Sequence, residues 1–197
     1  TKLAKKFLIK EGINSKNIFY SGNTIVDAIK YSSDKLKNNS NLLNNLNLIT
    51  KKYFLLTLHR QENVENKKKF LKIINSLNKV ISKFDMDIIF PAHPRTKKFI
   101  NSLKIKLNKR IKIIEPLNYI NFLTLIKNSK LIITDSGGIQ EESCVMKVPS
   151  ITLRTSTERQ ETILIGTNIL SEYDSKNLLK NINKILKRKI YWRSPYG

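Results

Sequence analysis

Cysteine is nearly absent from these 197 residues, Cys144 being the single example. One thiol cannot close an internal disulfide, and with no second thiol nearby Cys144 reads as a small core residue rather than a redox centre. Only two histidines occur, His59 and His93, thirty-four residues apart. With neither a Cys cluster nor a His-Glu helical spacing beside them, they do not make a zinc motif, and no metal or other cofactor is expected. No apolar run approaches the roughly 18 to 20 residues of a membrane span, and no signal-peptide pattern opens the chain. The expectation is a cytoplasmic protein with no membrane partner. Acidic residues are scarce as well: 15 Asp and Glu against 37 Lys and Arg leave a formal net charge of +22. Dense Lys and Arg neutralise phosphates, which raises nucleic acid as a partner. The basic blocks Lys67-Lys68-Lys69 and Lys97-Lys98 are short, however, and lack the interleaved aromatics that stack on bases. Lysine is accompanied by Asn and Ile throughout, as a coding bias would produce. No nucleic-acid partner is expected, and the basic field is read as drawing in an anionic small molecule.

What is present is the patterning of one α/β domain. The 40% hydrophobic content suffices for one sizeable core. The first twelve residues read as the end of a helix, with Leu3, Phe7 and Leu8 apolar at helical spacing and Gly12 at the C-terminal cap. The chain opens at Thr1 without an initiator Met and looks like part of something longer. Residues 18–20 read as a short strand, Ser21-Gly22-Asn23 as a turn, and 24–36 as a helix. Residues 38–48 are an Asn-rich connection. From Tyr53 onward, apolar runs of four to six residues alternate with amphipathic stretches of ten or more, as parallel βαβ units require. Strands are expected at 53–58, 87–90, 111–114, 131–134 and 150–153, and helices at 66–83, 95–107, 119–128 and 138–146. A further helix near 158–165 stops at Gly166, 168–170 reads as an edge strand, and Asp174 or Ser175 caps a last helix to 187. The fold class is a Rossmann-like, doubly wound parallel sheet.

The scarce residue types cluster. His59 and His93 each follow an expected strand, as do Pro116, the Ser136-Gly137-Gly138 turn and Arg154. Ligands of open α/β sheets bind outside the carboxyl ends of the strands, so these groups converge on one edge. Adjacent glycines let a backbone approach a ligand closely, Ser136 adds a hydroxyl, and a helix start offers free N–H groups with partial positive charge. That combination binds phosphate. The plain alternative is an N-cap in which Asp135 or Ser136 closes the helix and the glycines relieve crowding. Glu141 and Glu142, one turn on, are poor phosphate ligands but good acceptors for two ribose hydroxyls. His59-Arg60-Gln61-Glu62-Asn63 places an imidazole, a guanidinium and a carboxylate in one loop, a set able to stabilise a leaving phosphate and relay protons. Its alternative is a salt-bridged surface loop with Asn63 as an N-cap. The polar stretch from Arg154 to Glu161 supplies hydroxyls and two arginines for a sugar and its phosphates, or else an ordinary helix start.

Taken together these segments resemble the UDP-N-acetylglucosamine 2-epimerase family, specifically the carboxyl-terminal domain of its non-hydrolysing members. The resemblance runs from about Ile18 to Gly197. It is carried, in the family's order, by Ser21-Gly22-Asn23-Thr24-Ile25-Val26-Asp27, His59-Arg60-Gln61-Glu62-Asn63, Pro91-Ala92-His93-Pro94, Pro116-Leu117-Asn118-Tyr119, Thr157-Glu158-Arg159 and, most specifically, the nine residues from Thr134 to Glu142. It implies one half of a two-domain fold of the glycosyltransferase B type. Residues 1–22 would be the end of the first domain and the interdomain connection, 23–187 the UDP-binding domain, and 188–197 a C-terminal tail. The resemblance also implies that Ser136, Gly137 and Gly138 hold the UDP phosphates, Glu142 binds the ribose, and the loop of Pro116 and Tyr119 accommodates uracil. Arg159 and Arg60 would contact substrate, His59 and Glu62 would be the catalytic candidates of this half, and His93 would belong to a regulatory site. The implied chemistry is epimerisation at carbon 2 of a UDP-sugar, by elimination of UDP and re-addition through 2-acetamidoglucal, with a first domain and a second copy as partners. The alternatives are a UDP-sugar glycosyltransferase of the same architecture and a non-catalytic nucleotide- or polyanion-binding module.

Overall fold

The structure is a computed structural model and describes residues 1–37, 41–105, 107–189 and 191–197. Six parallel strands form its centre: β1 (Tyr53–Thr57), β2 (Asp87–Pro91), β3 (Ile111–Ile114), β4 (Leu131–Thr134), β5 (Ser150–Thr152) and β6 (Asn168–Leu170). Their order across the sheet is β3-β2-β1-β4-β5-β6. The chain winds outward from β1 in one direction and, after β3, returns to β1's other side, so the topological switch point lies between β1 and β4. That pair is in register from Phe54 opposite Leu131 to Thr57 opposite Thr134.

Both faces of the sheet are covered, which is why its strands are nearly continuous apolar runs rather than alternating ones. Side chains of a strand point alternately to the two faces. Phe54 and Leu56 join one core, with Ile88, Phe90, Ile133 and Ile151, and Tyr53 and Leu55 join the other, with Ile89 and Ile132. The first core is closed by α5 (Lys67–Phe84) and α10 (Ser175–Leu186). Helix α5 buries Phe70, Ile73, Ile74, Leu77, Val80 and Ile81, a stripe at spacings of three and four, and its N-cap Asn66 accepts the Lys69 N–H. Helix α10 starts at Asp174, which accepts the Asn177 N–H, and buries Leu178, Ile182 and Ile185. The second core lies under α2 (Thr24–Lys37), α3 (Asn41–Asn45), α7 (Tyr119–Asn128) and α8 (Gly137–Val145). The other α-helices of the described residues are α1 (Lys2–Lys10), α4 (Gln61–Val64), α6 (Pro94–Ser102) and α9 (Gln160–Leu164), with one 3-10 turn at Ser15–Asn17.

Several expectations need correction. Residues 18–20 form no strand; Phe19 is 86% exposed, and none of the six strands pairs with this segment. Helix α6 ends at Ser102 instead of 107, because Lys104 takes a left-handed φ of 50° that a right-handed helix cannot continue. The Asn-rich connection contains the short helix α3, while its residues 38–40 lie outside the described residues. The expected helix end at Gly12 is present: α1 stops with Gly12 at φ 90°, the Ile13 N–H reaching back to the Leu8 carbonyl and the Gly12 N–H to that of Ile9. Near the end of the chain Trp192 and Tyr196 pack against the body, the Trp192 indole donating to the Cys144 carbonyl at 2.9 Å and Tyr196 being buried. Cys144 is a free, buried core residue. Among the described residues no helix is long and apolar enough to cross a membrane.

Candidate functional site

Of the residues singled out in the sequence, those of the His59-Arg60 loop and of the Ser136-Gly137-Gly138 turn follow β1 and β4, the two strands that flank the switch point. Strand β4 delivers Asp135 and then Ser136, which takes the N-cap position of α8 with an extended backbone. Its hydroxyl makes no capping hydrogen bond, and Asp135 does not cap the helix either, so a plain N-cap does not describe this turn. Nor do the glycines relieve crowding: a Cβ on Gly138 would meet nothing within 4 Å, and one on Gly137 would make only ordinary contact with the Arg159 guanidinium at 3.8 Å. Neither glycine adopts a positive φ. A Gly pair costs helix stability, and here neither backbone nor packing requires it. What the glycines do is leave open ground over a helix N-terminus whose first N–H groups lack side-chain acceptors, the arrangement that suits an anion.

Arg159 provides a cation at the rim. It precedes α9, and its Nε lies 2.8 Å from Glu141 Oε1 in an ion pair not aligned as a hydrogen bond. Asn23, just before α2, donates to the same Glu141 oxygen at 3.0 Å. Arg154, the other arginine of that loop, is instead occupied by both carboxylate oxygens of Glu158 at 2.8 and 3.0 Å. These bonds hold the Glu158 carboxyl down at about 2, so the expectation of two arginines facing one anion reduces to Arg159. The loop between is anchored by fully buried Gln140, whose Oε1 accepts from the Thr157 hydroxyl at 2.7 Å and from Asn168 Nδ2 at 3.0 Å, while its Nε2 donates to the Ser136 carbonyl at 3.1 Å. A cavity of about 320 Å³ opens beside this loop, lined in part by Thr155, Ser156, Thr157 and Gln160.

One turn into α8, Glu142 is buried next to Glu141. Burial, reinforced by the Glu141 charge and only partly offset by a hydrogen bond from the Tyr119 hydroxyl, pushes its carboxyl up to about 7. Tyr119 opens α7, whose N-cap Asn118 accepts the Asn121 N–H, and the Pro116–Tyr119 loop thereby comes to the Glu142 side of the turn. Burial and the facing Glu142 raise the Tyr119 phenol to about 12. Pro116 is exposed after β3.

On the β1 side, His59 and Arg60 are clamped onto the end of β4 by Asp135. The fully buried Asp135 carboxylate receives the backbone N–H groups of His59 and Arg60, Asn63 Nδ2 at 3.0 Å, and His59 Nδ1 at 2.9 Å. Arg60 Nε in turn donates to the Asp135 carbonyl at 3.0 Å. Burial by itself raises the Asp135 pKa, but the hydrogen bonds from His59, Asn63 and the Arg60 N–H outweigh it and hold the carboxyl below its usual range. The same bond raises the His59 pKa, against opposition from burial and Arg60. Asn63 is therefore not an N-cap; that position belongs to Asn66, and Asn63 is a fully buried partner of Asp135. Glu62 is exposed on α4. His93 follows β2 and caps α6, its Nδ1 accepting the Arg95 N–H at 3.3 Å, and it joins none of these contacts. Among the described residues no group of three His, Cys, Asp or Glu side chains is placed to hold a metal.

Asp135, Asn63 and Gln140 were not legible as site residues. The one available signal was that Asp135 stands immediately before an N-cap serine, too early to cap the helix and so free to turn across the sheet edge.

Comparison with known proteins places the chain in a family. The family model described as UDP-N-acetylglucosamine 2-epimerase matches residues 1–197. The UDP-N-acetylglucosamine 2-epimerase of Methanocaldococcus jannaschii is 47% identical over the whole chain, which covers 56% of that protein. The corresponding Methanococcus maripaludis enzyme is 46% identical with the same coverage. The crystal structure of the M. jannaschii enzyme in complex with UDP-GlcNAc and UDP superposes with a TM-score of 0.91 over 100% of this chain and 56% of the other. A Neisseria meningitidis UDP-GlcNAc 2-epimerase bound to UDP-GlcNAc superposes with a TM-score of 0.87 at 29% identity, with the same coverage. The chain thus spans about half the length of these relatives and has the fold of one half of a glycosyltransferase B type architecture. With the family model matched over all 197 residues and two epimerases 47% and 46% identical to it, the chain belongs to the UDP-N-acetylglucosamine 2-epimerase family.

Proposed function

We propose that this chain is the UDP-holding half of a UDP-N-acetylglucosamine 2-epimerase, and that its α8 N-terminus receives the diphosphate. The observation that carries this is the uncapped start of α8 with open ground over Gly138 and a guanidinium at its rim. In this reading Ser136, Gly137 and Gly138 bind the phosphates by hydroxyl and backbone N–H, and Arg159 and Arg60 neutralise their charge. Glu142 exchanges the Tyr119 hydroxyl for those of the ribose, and Tyr119 with Pro116 then borders the base. The reaction removes the proton at carbon 2 while the C1–O bond breaks with its electron pair leaving on UDP. The reverse addition returns UDP to C1 and a proton to the opposite face of C2. His59 stabilises the departing diphosphate oxygen, and Glu62 is the proton-relaying carboxylate of this half. His93, with Arg60, serves a regulatory UDP-sugar.

Residues 1–22 belong, in this reading, with the other half of the enzyme. Helix α1 has no buried residue, and Phe7, Leu8, Ile9, Ile13 and Phe19 are exposed, a set of large apolar side chains that a facing domain would cover. The reading is tested by calorimetric titration of UDP into this chain. Binding that survives 0.5 M salt and weakens at least about tenfold in Glu142→Ala, a loss of about 1.4 kcal/mol, supports it. Failure to bind UDP, or an affinity for any polyanion that collapses with salt, overturns it.

A further inference from the structure

We propose that Asp135 is a positioning residue of this site: by accepting the Nδ1–H of His59 it fixes the imidazole so that Nε2 faces the leaving diphosphate. The role at the diphosphate rests on the nucleotide reading above; the pairing itself does not.

The geometry is that of a carboxylate committed to one loop. Asp135 has no exposed surface, and four donors from three residues converge on it: the His59 N–H, the Arg60 N–H, Asn63 Nδ2 and His59 Nδ1. A carboxylate has about four lone-pair sites and no proton to give, so in the neutral ring the shared proton resides on Nδ1 of His59. An unconstrained imidazole has no such restriction. The His59 side chain is itself 55% exposed, so the nitrogen opposite Asp135 remains available to a ligand. Arg60 Nε, bound to the Asp135 carbonyl, is set by the same residue, so one side chain and one carbonyl orient both cations of the loop.

The electrostatic setting reinforces the pairing. A fully buried carboxylate without a facing cation is costly, and protonated His59 supplies that cation. The other charges around the pair come from three places: Arg60 in the same loop, which opposes His59 protonation, Glu62 on α4, and the Arg154–Glu158 pair after β5. Because Arg154 and Glu158 largely neutralise each other, Asp135 remains the group that decides the state of His59.

The chain has only two histidines, so imidazole nitrogen NMR reads this directly in the unsubstituted protein, with His93→Gln assigning the signals. The expected result is that neutral His59 carries its proton on Nδ1, with a titration midpoint above the ordinary value of about 6.5. In Asp135→Asn the midpoint falls and the tautomer moves toward Nε2–H. On adding UDP the His59 signals shift in the parent, whereas Asp135→Asn binds UDP about tenfold more weakly, a loss of about 1.4 kcal/mol. An Nε2–H tautomer in the parent overturns the proposal even if Asp135→Asn does not fold, and so does a folded Asp135→Asn with unchanged His59 titration. Tautomer and midpoint are read without ligand. Absence of UDP binding by the parent therefore sinks the nucleotide reading, and with it the diphosphate role, while the ligand-free measurements judge the pairing separately.

Discussion

Gly138 is the residue at which stability and binding separate most cleanly. A methyl group there meets nothing within 4 Å, and the backbone does not need glycine. Gly138→Ala should therefore stabilise the fold by roughly 0.5 to 1 kcal/mol, the usual helix preference for alanine. It should weaken UDP binding at least about tenfold, since the methyl occupies the ground proposed for the phosphates; a loss of that size is about 1.4 kcal/mol. Thermal denaturation and calorimetry on one sample check both. A variant more stable and equally tight in UDP binding removes the diphosphate from this turn.

The elements around the turn are held together by polar side chains buried between them, and Gln140 is the centre of that set. It ties α8 to the loop before α9 through Thr157 and to β6 through Asn168. Gln140→Leu keeps the volume but leaves the Thr157 hydroxyl without its acceptor and the Asn168 amide with only the Thr162 hydroxyl, at 3.2 Å. At about 1 to 3 kcal/mol for a buried group left unsatisfied, the loss should be about 2 kcal/mol in urea denaturation. Because Gln140 also donates to the Ser136 carbonyl, UDP affinity should fall with it. Legibility at this scale was uneven. Helices α5, α7 and α10 could be read from apolar stripes, and α10 also from its Asp174 cap, which are local signals. Residues 18–20 have the composition of a strand yet form none, because a strand exists only where an edge is available to pair with it.

For the molecule as a whole, the site imposes a measurable pH dependence on folding. Glu142 titrates at about 7 when folded against an ordinary 4.5, so the unfolded chain releases this proton first as pH rises. The contribution is fully present below about 4.5 and is lost as pH climbs through 7. The raised pKa of His59 acts in the same direction above its unfolded value. Stability should fall by about 3 kcal/mol between pH 5 and pH 8, and Glu142→Gln should remove most of that fall in denaturant titrations. Undiminished pH dependence in Glu142→Gln would locate the titrating group elsewhere. At the same scale, this chain by itself should bind UDP and show no epimerisation of UDP-N-acetylglucosamine, because the proposed proton transfer at carbon 2 needs carboxylates that face the sugar from the other half. Substantial turnover by these 197 residues alone would refute that division of labour.

Much of this could be read along the chain, because apolar runs, caps and glycine pairs act over a few residues. The succession of β-strands along the chain after Tyr53, the longer helices between them and the segment from Thr134 to Glu142 were visible in that way, and with them the family, whereas the short helix α4 at Gln61–Val64 reads as a loop in the sequence. Other features depend on residues far apart in sequence becoming neighbours. Asp135 meets His59 from seventy-six positions away, Asn23 meets Glu141 from one hundred and eighteen, and Gln140 meets Asn168 from twenty-eight. Two carboxylates adjacent in sequence also part company, Glu141 paired with Arg159 and Glu142 buried against Tyr119. Burial and partner choice are properties of the packed sheet edge, so which aspartate clamps the histidine, which arginine faces the turn and which glutamate holds a proton near neutrality were settled when β1 and β4 came side by side.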